Sequence, residues 1–314
     1  MKIIDFYKQQ QIFSIEVLPP RNGSPIEDIY HTIKSMLAYD IKYVSITHGA
    51  ATNLRGGTIA IASLIKHKYN IEVLAHLTCL ASTPHEVENN IITLYYLGVE
   101  NVLALRGDPP YGEPDILKHS HYKHASDLLE KINETNQGHY LLRKSDIEFK
   151  LVPEGQDYFQ GVKTDFSAAA ACYPEKHIEA SDMETDIDNV KRKVDLGAEF
   201  LITQMFFNNE HYWRYAEKLR AKGIDIPIVP GIKPVASYKN IGFLQKMFHC
   251  EMPDSLLTKA EQYKDDADAI KKITVEHTIA QSEDLLKNGA PGVHFYTMNK
   301  DAQIKEVLRN LTQK

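Results

Sequence analysis

The sequence predicts an α/β fold in which eight parallel strands close into a (β/α)8 TIM barrel, with an insertion between strands four and five. Three observations support it. Short apolar or β-branched runs recur eight times along the 314 residues, helical patterns separate most of them, and polar residues follow the ends of several runs. A doubly wound open sheet is the structural competitor.

The eight predicted strands are nearly continuous in apolar character, which is typical of parallel strands that are covered by helices. In chain order they are Phe13–Val17, Tyr43–Thr47, Glu72–Leu77, Val102–Leu105, Ser167–Tyr173, Phe200–Phe206, Pro227–Val229 and Val293–Tyr296.

Start and stop signals support the helices between these strands. The predicted starts lie at Ser24-Pro25, Thr83-Pro84 and Asn208. The predicted ends, at the glycines that commonly follow a last helical turn, are Gly98, Gly197 and Gly223.

Two connections are longer than one helix requires. The stretch of about 126–165 mixes polar and aromatic residues and is predicted to be an insertion with short strands of its own, serving as a lid, an oligomer contact or a docking surface. The stretch 238–289 is predicted to hold two or three helices. Neither has the composition of a linker, so residues 1–314 are predicted to form one domain.

The composition argues against several classes of binding partner. The net charge is −6 with no dense run of Lys or Arg, which argues against nucleic acid and membrane surfaces. No stretch approaches the roughly 20 apolar residues of a membrane span. The three cysteines lack the spacing of a zinc site, so we expect no metal, no disulfide framework and a cytoplasmic location. Small molecules are the expected partners.

Glu16 is the most informative residue. Period-two alternation places Ser14 and Glu16 on the strand face opposite Phe13 and Ile15, and in a barrel that face points inward or towards the rim. A carboxyl group there is desolvated, so its pKa is expected to rise into the range of a general acid.

Other polar residues have weaker signals. His76 by itself is typical of a hydrogen-bonded core histidine. Arg106-Gly107-Asp108 directly follows a strand and could hold a polar cofactor. Asp186, Asn189 and Lys193 would share one helix face, but spacing alone favours a solvated surface there. No dinucleotide-binding or P-loop glycine motif is present.

Several blocks of sequence together resemble the methylenetetrahydrofolate reductases, the flavoprotein barrels of one-carbon metabolism and methionine biosynthesis. The blocks occur in the family's order and are "FSIEVLPPR", "YVSITHGA", "AHLTC", "LALRGDPP", "AACYPEKH", "NVKRKVDLGAEFLITQMFF", "VPGIKPV" and "HFYTMN".

The resemblance implies a barrel that binds FAD at its C-terminal rim, as in the bacterial form of the enzyme. It implies an NAD(P)H-dependent oxidoreductase that reduces 5,10-methylenetetrahydrofolate to 5-methyltetrahydrofolate by a ping-pong mechanism, with NADH or NADPH as donor. A homo-oligomer is also expected.

The resemblance also assigns residues. Glu16 matches the general acid, and Asp108 matches the aspartate beside flavin and pterin. The implied cofactor-binding residues are Thr47, His48, Ala50, His76, Arg106, Gly107, Asp108, Ala125, Tyr173, His177, Ala180, Asp186, Asn189, Arg192 and Lys193. The implied substrate-binding residues are Gln204, Asn240, Leu244, Tyr296 and Lys300.

At three positions in or near these predicted binding sites, the chain differs from the bacterial members of the family. His48 and His124 occupy positions where tyrosines are usual. Lys300 occupies a position where arginine is usual, so the paired hydrogen bonds of a guanidinium group are lost there.

Two alternatives stay open. One is a non-catalytic flavin- or folate-binding subunit. The other is a flavin-free barrel lyase, which would require a metal cluster or a Schiff-base lysine, and the sequence shows no evident lysine at a strand end.

Overall fold

The computed structural model describes residues 1–49, 56–109 and 115–312. Their α-helices are α1 (Ile3–Tyr7), α2 (Glu27–Met36), α3 (Thr58–Tyr69), α4 (Pro84–Tyr96), α5 (Ile116–His119), α6 (Ala125–Gln137), α7 (Lys144–Glu148), α8 (Met183–Asp195), α9 (Asn209–Ala221), α10 (Tyr238–Phe248), α11 (Asp254–Gln262), α12 (Ala267–Lys287) and α13 (Ala302–Thr312). A short 3₁₀-helix, Leu37–Tyr39, extends α2.

The predicted barrel is confirmed. Its strands are β1 (Ile12–Val17), β2 (Ile41–Ile46), β3 (Glu72–Thr78), β4 (Asn101–Leu105), β5 (Ser167–Cys172), β6 (Ala198–Thr203), β7 in two segments (Ile228–Val229 and Gly231–Ile232) and β8 (Gly292–Tyr296). Each strand pairs in parallel with the next, and β8 pairs with β1. All eight sequence-predicted runs therefore form barrel strands, with bounds that shift by a few residues.

The ring closes at β7, where Pro230 divides the strand. The first segment pairs with β6 and the second with β8. Proline has no N–H to donate, but its carbonyl accepts a hydrogen bond of 2.9 Å from the His294 N–H. On the other side, the Gly231 N–H donates to Thr203 Oγ1 at 2.9 Å. These bonds carry the sheet across the break.

Apolar residues form one layer outside the strands and another inside. Ile15 and Val17 lie in the outer layer with the helices, whereas Glu16 faces the interior, as the alternation predicts. At the N-terminal end of the barrel, α1 contributes Ile3 and Ile4 to an inner cluster with strand residues such as Phe200. That end is therefore filled by apolar side chains, and the polar site lies at the other end.

The helix signals are mostly correct. Thr83 forms a capping box with Glu86, and the Asn208 side chain caps α9. The three predicted glycines have positive φ values one residue beyond the C-caps of α4, α8 and α9. The Ser24-Pro25 start is wrong: α2 begins at Glu27 without a side-chain cap, because the chain makes a turn at 21–24 first.

The stretch predicted as an insertion has two parts. Helix α6 packs against β4 and β5 in the position of a barrel helix. The rest contains α7 and two paired strands, His139–Tyr140 and Phe159–Gln160, and it follows the C-terminal end of α6. The helices of a barrel run antiparallel to its strands, so α6 ends at the N-terminal end of the strands. The segment with α7 and the strand pair therefore begins at the end of the barrel opposite the polar site.

The stretch 238–289 contains three helices, as expected. Among the described helices, none combines the length and apolar character needed to cross a membrane.

Replacing Gly231 with alanine is expected to lower the free energy of unfolding by about 2–4 kcal/mol. The new Cβ would lie 2.3 Å from the Thr203 carbonyl oxygen and 2.6 Å from the Tyr296 ring, and backbone cannot retreat there without opening the ring of strands. Urea denaturation measures the change. The matched control is Gly242→Ala in α10, where the Cβ meets open space; it should be neutral or stabilise by up to about 1 kcal/mol. Equal effects of the two substitutions would contradict the packing argument.

Candidate active site

A cavity of about 420 Å³ opens at the C-terminal end of the barrel. Residues from β1, β2, β3, β4, β5, β6 and β8, or from the loops that follow them, line it. The predicted site residues on its wall are Glu16, Thr47, His48, His76, Arg106, Gly107, Asp108, Tyr173, His177, Gln204 and Tyr296. Glu16, Asp108 and Gln204, which sequence reasoning expects around one ligand, thus share one cavity.

Glu16 lies deep in this cavity, with its side chain 12% exposed. Burial raises the pKa of Glu16 to about 8, and the positive charge of Lys233 opposes the rise. The carboxyl group is therefore mostly protonated at neutral pH, as the sequence analysis expects of a general acid.

Two buried histidines beside Glu16 stay neutral. Burial lowers the pKa values of His76 and His294 to about 3. His76 Nε2 lies 2.6 Å from Ser45 Oγ and 3.5 Å from the Glu16 carboxyl oxygen. Because His76 is uncharged and Glu16 is protonated near neutrality, this contact is between neutral groups and does not act as an ion pair.

Lys233 is the residue that sequence reasoning missed. It lies two residues after Gly231, which pairs with His294 on β8. Two residues after His294 on the same strand, Tyr296 pairs with Glu16 on β1. Lys233 is therefore at the same height along the barrel axis as Glu16. Because alternate residues of a strand share a face, its side chain points to the same side as position 231. Burial lowers the pKa of Lys233 to about 8, the carboxyl of Glu16 opposes the change, and Lys300 adds to it.

The expectation that no strand ends in a lysine is therefore wrong. The signal was present in "VPGIKPV", where a lysine directly follows an apolar run. Lys233 comes close to Glu16 because β7 pairs with β8 and β8 pairs with β1. The spacing of residues along the sequence does not reveal this pairing.

Thr47 carries an unsatisfied polar atom. Its Oγ1 is buried and has no hydrogen-bond partner among the described residues, although the side chain lines the cavity. Next to it, His48 Nδ1 accepts from the Thr78 N–H at 3.2 Å, and burial lowers the pKa of His48. A buried hydroxyl without a partner is costly, so this position is suited to a polar ligand edge.

Tyr296 on β8 and Gln204 directly after β6 are both held by hydrogen bonds. Tyr296 Oη donates to the Thr203 carbonyl at 2.6 Å, and Gln204 Oε1 accepts from the Met205 N–H at 2.9 Å. Gln204 lines the cavity, and its amide nitrogen donates no hydrogen bond to the residues that the structure describes. Asp108 lies at the solvent-exposed edge of the same cavity.

A second cavity of about 250 Å³ adjoins the first. The residues that line both are Leu105, Arg106, Ala171, Tyr173 and His177. The predicted residues found only in the second cavity are Ala125, Ala180, Asp186, Asn189, Arg192 and Lys193. A single elongated ligand could occupy both spaces.

One face of α8 supplies the charged wall of the second cavity. Asp186 is buried and accepts from the His177 N–H at 3.3 Å, and burial raises the pKa of this carboxyl group. One and two turns later, Asn189 and Lys193 line the same cavity, and Lys193 Nζ donates to the Ala171 carbonyl at 2.6 Å. The solvated-surface interpretation is therefore wrong for Asp186, which is buried, whereas Asn189 lines the cavity and is exposed to solvent.

Arg106 connects the two cavities. Its guanidinium makes a bidentate pair with Glu179 at 2.5 and 2.9 Å. Gly107 has φ +87°, and a Cβ there would lie 3.0 Å from the Thr78 side chain. Glycine is therefore required for the chain to turn closely over β3 at this point.

Four predicted residues lie outside both cavities or outside the described chain. Asn240 is exposed near the start of α10, and Leu244 packs in an apolar cluster with Met205. Lys300 is exposed, and its positive charge helps to lower the pKa of Lys233. Ala50 lies outside the described residues.

The model of the methylenetetrahydrofolate reductase family matches residues 2–312. The chain belongs to the methylenetetrahydrofolate reductase family. The expectation of an enzyme of this oxidoreductase family is thereby confirmed.

Relatives from bacteria and plants show how much of the chain is shared. It is 30% identical to 5,10-methylenetetrahydrofolate reductase of Escherichia coli over 91% of this chain and 86% of that one. It is also 30% identical to methylenetetrahydrofolate reductase (NADH) 1 of Arabidopsis thaliana over 99% of this chain and 51% of that one. The chain thus spans about half the length of the plant relative.

A solved structure supports the fold. An uncharacterized protein from Clostridium thermocellum that binds two copies of 5-methyl-5,6,7,8-tetrahydrofolic acid superposes with a TM-score of 0.60. The match covers 98% of this chain and 97% of that one at 13% identity. Identity at this level is evidence of a shared fold only.

Replacing Glu16 with glutamine is expected to remove a pH-dependent loss of stability. The Glu16 pKa is raised from 4.5 to about 8 in the fold. The stability is therefore undiminished below about pH 4.5 and falls as the pH rises towards about 8, because the unfolded chain ionises in this range while the folded protein keeps its proton. Between about pH 5 and 8, the E16Q variant should gain about 1–3 kcal/mol relative to the unsubstituted protein.

Urea denaturation across that pH range measures the difference. Glu130→Gln, on the exposed side of α6, is the matched control and should show no such trend. A constant difference between E16Q and the unsubstituted protein at every pH would contradict the raised pKa.

Proposed function

We propose that this protein is a flavin-dependent reductase that converts 5,10-methylenetetrahydrofolate to 5-methyltetrahydrofolate with a reduced nicotinamide dinucleotide as donor. The observation that carries the proposal is Glu16, a buried carboxyl group protonated near neutral pH inside the cavity that also contains Gln204 and Tyr296. Family membership supports the same reaction.

Two features fit a bound FAD. The unpartnered Thr47 Oγ1 could bond a polar edge of the flavin ring in the first cavity. In the second cavity, Arg192 and Lys193 could bind a diphosphate, and the acceptor oxygens of Asp186 suit ribose hydroxyls. We propose that the residues assigned to the cofactor by the family resemblance hold FAD in this way.

FAD would supply the route by which reducing equivalents pass from the nicotinamide to the folate. The protein's own contribution is proton transfer and placement. Glu16 donates its proton to the folate nitrogen that leaves the methylene carbon, which opens the five-membered ring and generates an iminium cation. The exposed carboxylate of Asp108 at the cavity edge provides negative charge near that cation, and the Gln204 amide orients the ring.

The same cavity would serve both substrates in turn, so ping-pong kinetics are part of the proposal. Relatives carry names that specify NADH or NADPH, and we propose that rates of flavin reduction by each will identify the donor here. A homo-oligomer stays a prediction that light scattering can test.

The E16Q variant tests the role of Glu16. It should leave reduction of the flavin by NADH or NADPH nearly unchanged, because that half-reaction does not require the proton. It should slow oxidation of the reduced flavin by 5,10-methylenetetrahydrofolate about 10²-fold or more, the usual contribution of a general acid. Stopped-flow absorbance follows both steps. Equal losses in the two half-reactions would refute the assigned role.

Lys233→Met tests the electrostatic setting of Glu16. The Lys233 cation lowers the Glu16 pKa, so its removal should raise that pKa further and move the alkaline limb of the folate half-reaction to higher pH. A shift of roughly 0.5–1.5 pH units is expected. Lys239→Met, an exposed change in α10, is the control. A shift to lower pH would contradict the arrangement.

Lys233 also favours the lyase as the second candidate function, because a buried lysine with a lowered pKa is suited to Schiff-base formation. The visible spectrum separates the candidates. A lyase would purify colourless and fail to bind added FAD, and its K233M variant would lose all activity. A flavin-binding subunit without catalysis would be coloured but would not oxidise NADH or NADPH.

A further inference from the structure

A cluster of three potential metal ligands lies outside the two cavities described above. Glu175, His211 and Glu251 each direct one ligand atom into a common space, and these atoms lie within 4.8 Å of one another. They come from the loop after β5, from α9 and from the segment after α10. A separate cavity of about 380 Å³ includes all three.

The distances are close to those that a small divalent cation imposes. Zn²⁺ lies about 2.0–2.2 Å from nitrogen and oxygen ligands, so two ligands of a tetrahedral site are about 3.3–3.5 Å apart. His211 Nε2 lies 3.3 Å from a Glu175 oxygen and 3.0 Å from a Glu251 oxygen. Two of the three separations are therefore within a few tenths of an ångström of those in such a site, and the third is at most 4.8 Å.

The ligands are also held and partly shielded. The Glu251 N–H donates to both Glu175 oxygens, at 2.9 and 3.2 Å, so the backbone of one ligand orients the side chain of another. Glu175 and His211 are 14% and 18% exposed, whereas Glu251 is more open to solvent. Ligands that are oriented by such contacts are typical of metal sites, and the open side leaves room for a water molecule.

Basic residues also line this cavity: Arg214, Lys218 and His249. Arg214 is largely exposed, and its guanidinium lies 3.5 Å from His211 Nδ1. A turn of this side chain towards solvent would let Nδ1 carry the proton while Nε2 binds a cation. The positive charges of Arg214 and Lys218 would lower the affinity for a cation, and neither side chain supplies a ligand atom.

We infer that Glu175, His211 and Glu251 form a binding site for a divalent first-row transition metal such as Zn²⁺. One imidazole and two carboxylates suit these metals better than Ca²⁺ or Mg²⁺, which prefer oxygen ligands alone. The site would fasten three separate elements at the outside of the barrel rim.

The three ligands are also connected structurally to the barrel cavity. Glu175 lies between Tyr173 and His177, which line both cavities. On α9, one turn from His211, the Tyr215 hydroxyl lies 3.5 Å from the Tyr173 N–H. The metal would therefore restrain the loop that carries Tyr173 and His177, a structural role that is independent of the reaction proposed above.

Isothermal titration of tag-free, chelator-treated protein with Zn²⁺ tests the site. We expect one Zn²⁺ per chain, with affinity reduced at least tenfold in both His211→Gln and Glu251→Gln. Glu217→Gln, on the exposed side of α9, and His31→Gln, on the exposed side of α2, are the controls and should bind as the unsubstituted protein does. The three cysteines are buried, so thiolates compete little.

Two further readouts use the same proteins. Co²⁺ should give the visible absorption of a four-coordinate site in the unsubstituted protein and lose it in both ligand variants. Zn²⁺ should raise the Tm of the unsubstituted protein and of the controls but not that of H211Q. If H211Q does not fold, E251Q decides the result, because its side chain is exposed.

Unchanged Zn²⁺ affinity in both ligand variants, or no binding up to roughly millimolar Zn²⁺, would show that the three residues form only an ion-pair cluster. Neither result depends on FAD, folate or nicotinamide, so the outcome is separate from the test of the proposed reductase.

Discussion

The site depends on how three strands meet at Thr203. Its carbonyl accepts the Tyr296 hydroxyl from β8, and its own hydroxyl accepts the Gly231 N–H from β7. These two bonds join β6, β7 and β8 where the proline interrupts the sheet. They add to the backbone pairing that closes the ring, and the closed ring makes Glu16 and Gln204 face a common interior.

Closure also explains the electrostatics of the cavity. A ring of strands filled by apolar residues at one end leaves the polar end poorly solvated, so groups there favour their neutral forms. Glu16 holds its proton, His76 and His294 lack theirs, and Lys233 becomes a weaker base. With Glu16 neutral and Lys233 positively charged, the site can donate one proton near pH 7, as the proposed ring opening would require.

The second cavity adds a different environment to the first. It places the charged face of α8 beside the loop after β5, and Arg106, Tyr173 and His177 form the boundary between the two spaces. A long ligand with one flat, poorly charged end and one anionic end is complementary to this pair of cavities. The proposed metal cluster lies behind the same loop, so the loop contacts the proposed cofactor on one side and the three ligands on the other.

The sequence by itself determined the elements and their order. Period-two alternation correctly turned Glu16 inward, apolar runs correctly located eight strands, and the caps at Thr83 and Asn208 correctly located two helices, because each of these signals is local. The resemblance covered nearly the whole chain, and the cavities contain most of the residues it assigned. The start of α2 was predicted wrongly because a turn and a cap have similar local composition.

Only the tertiary structure decided which distant residues became neighbours. Lys233 reaches the level of Glu16 through the pairing of β7 with β8 and of β8 with β1, and the face of α8 became a cavity wall because the helix packs beside β5. Glu175, His211 and Glu251 likewise converge from three elements. Burial, and therefore pKa, depends on everything that surrounds a group, which sequence spacing along a single strand or helix does not contain.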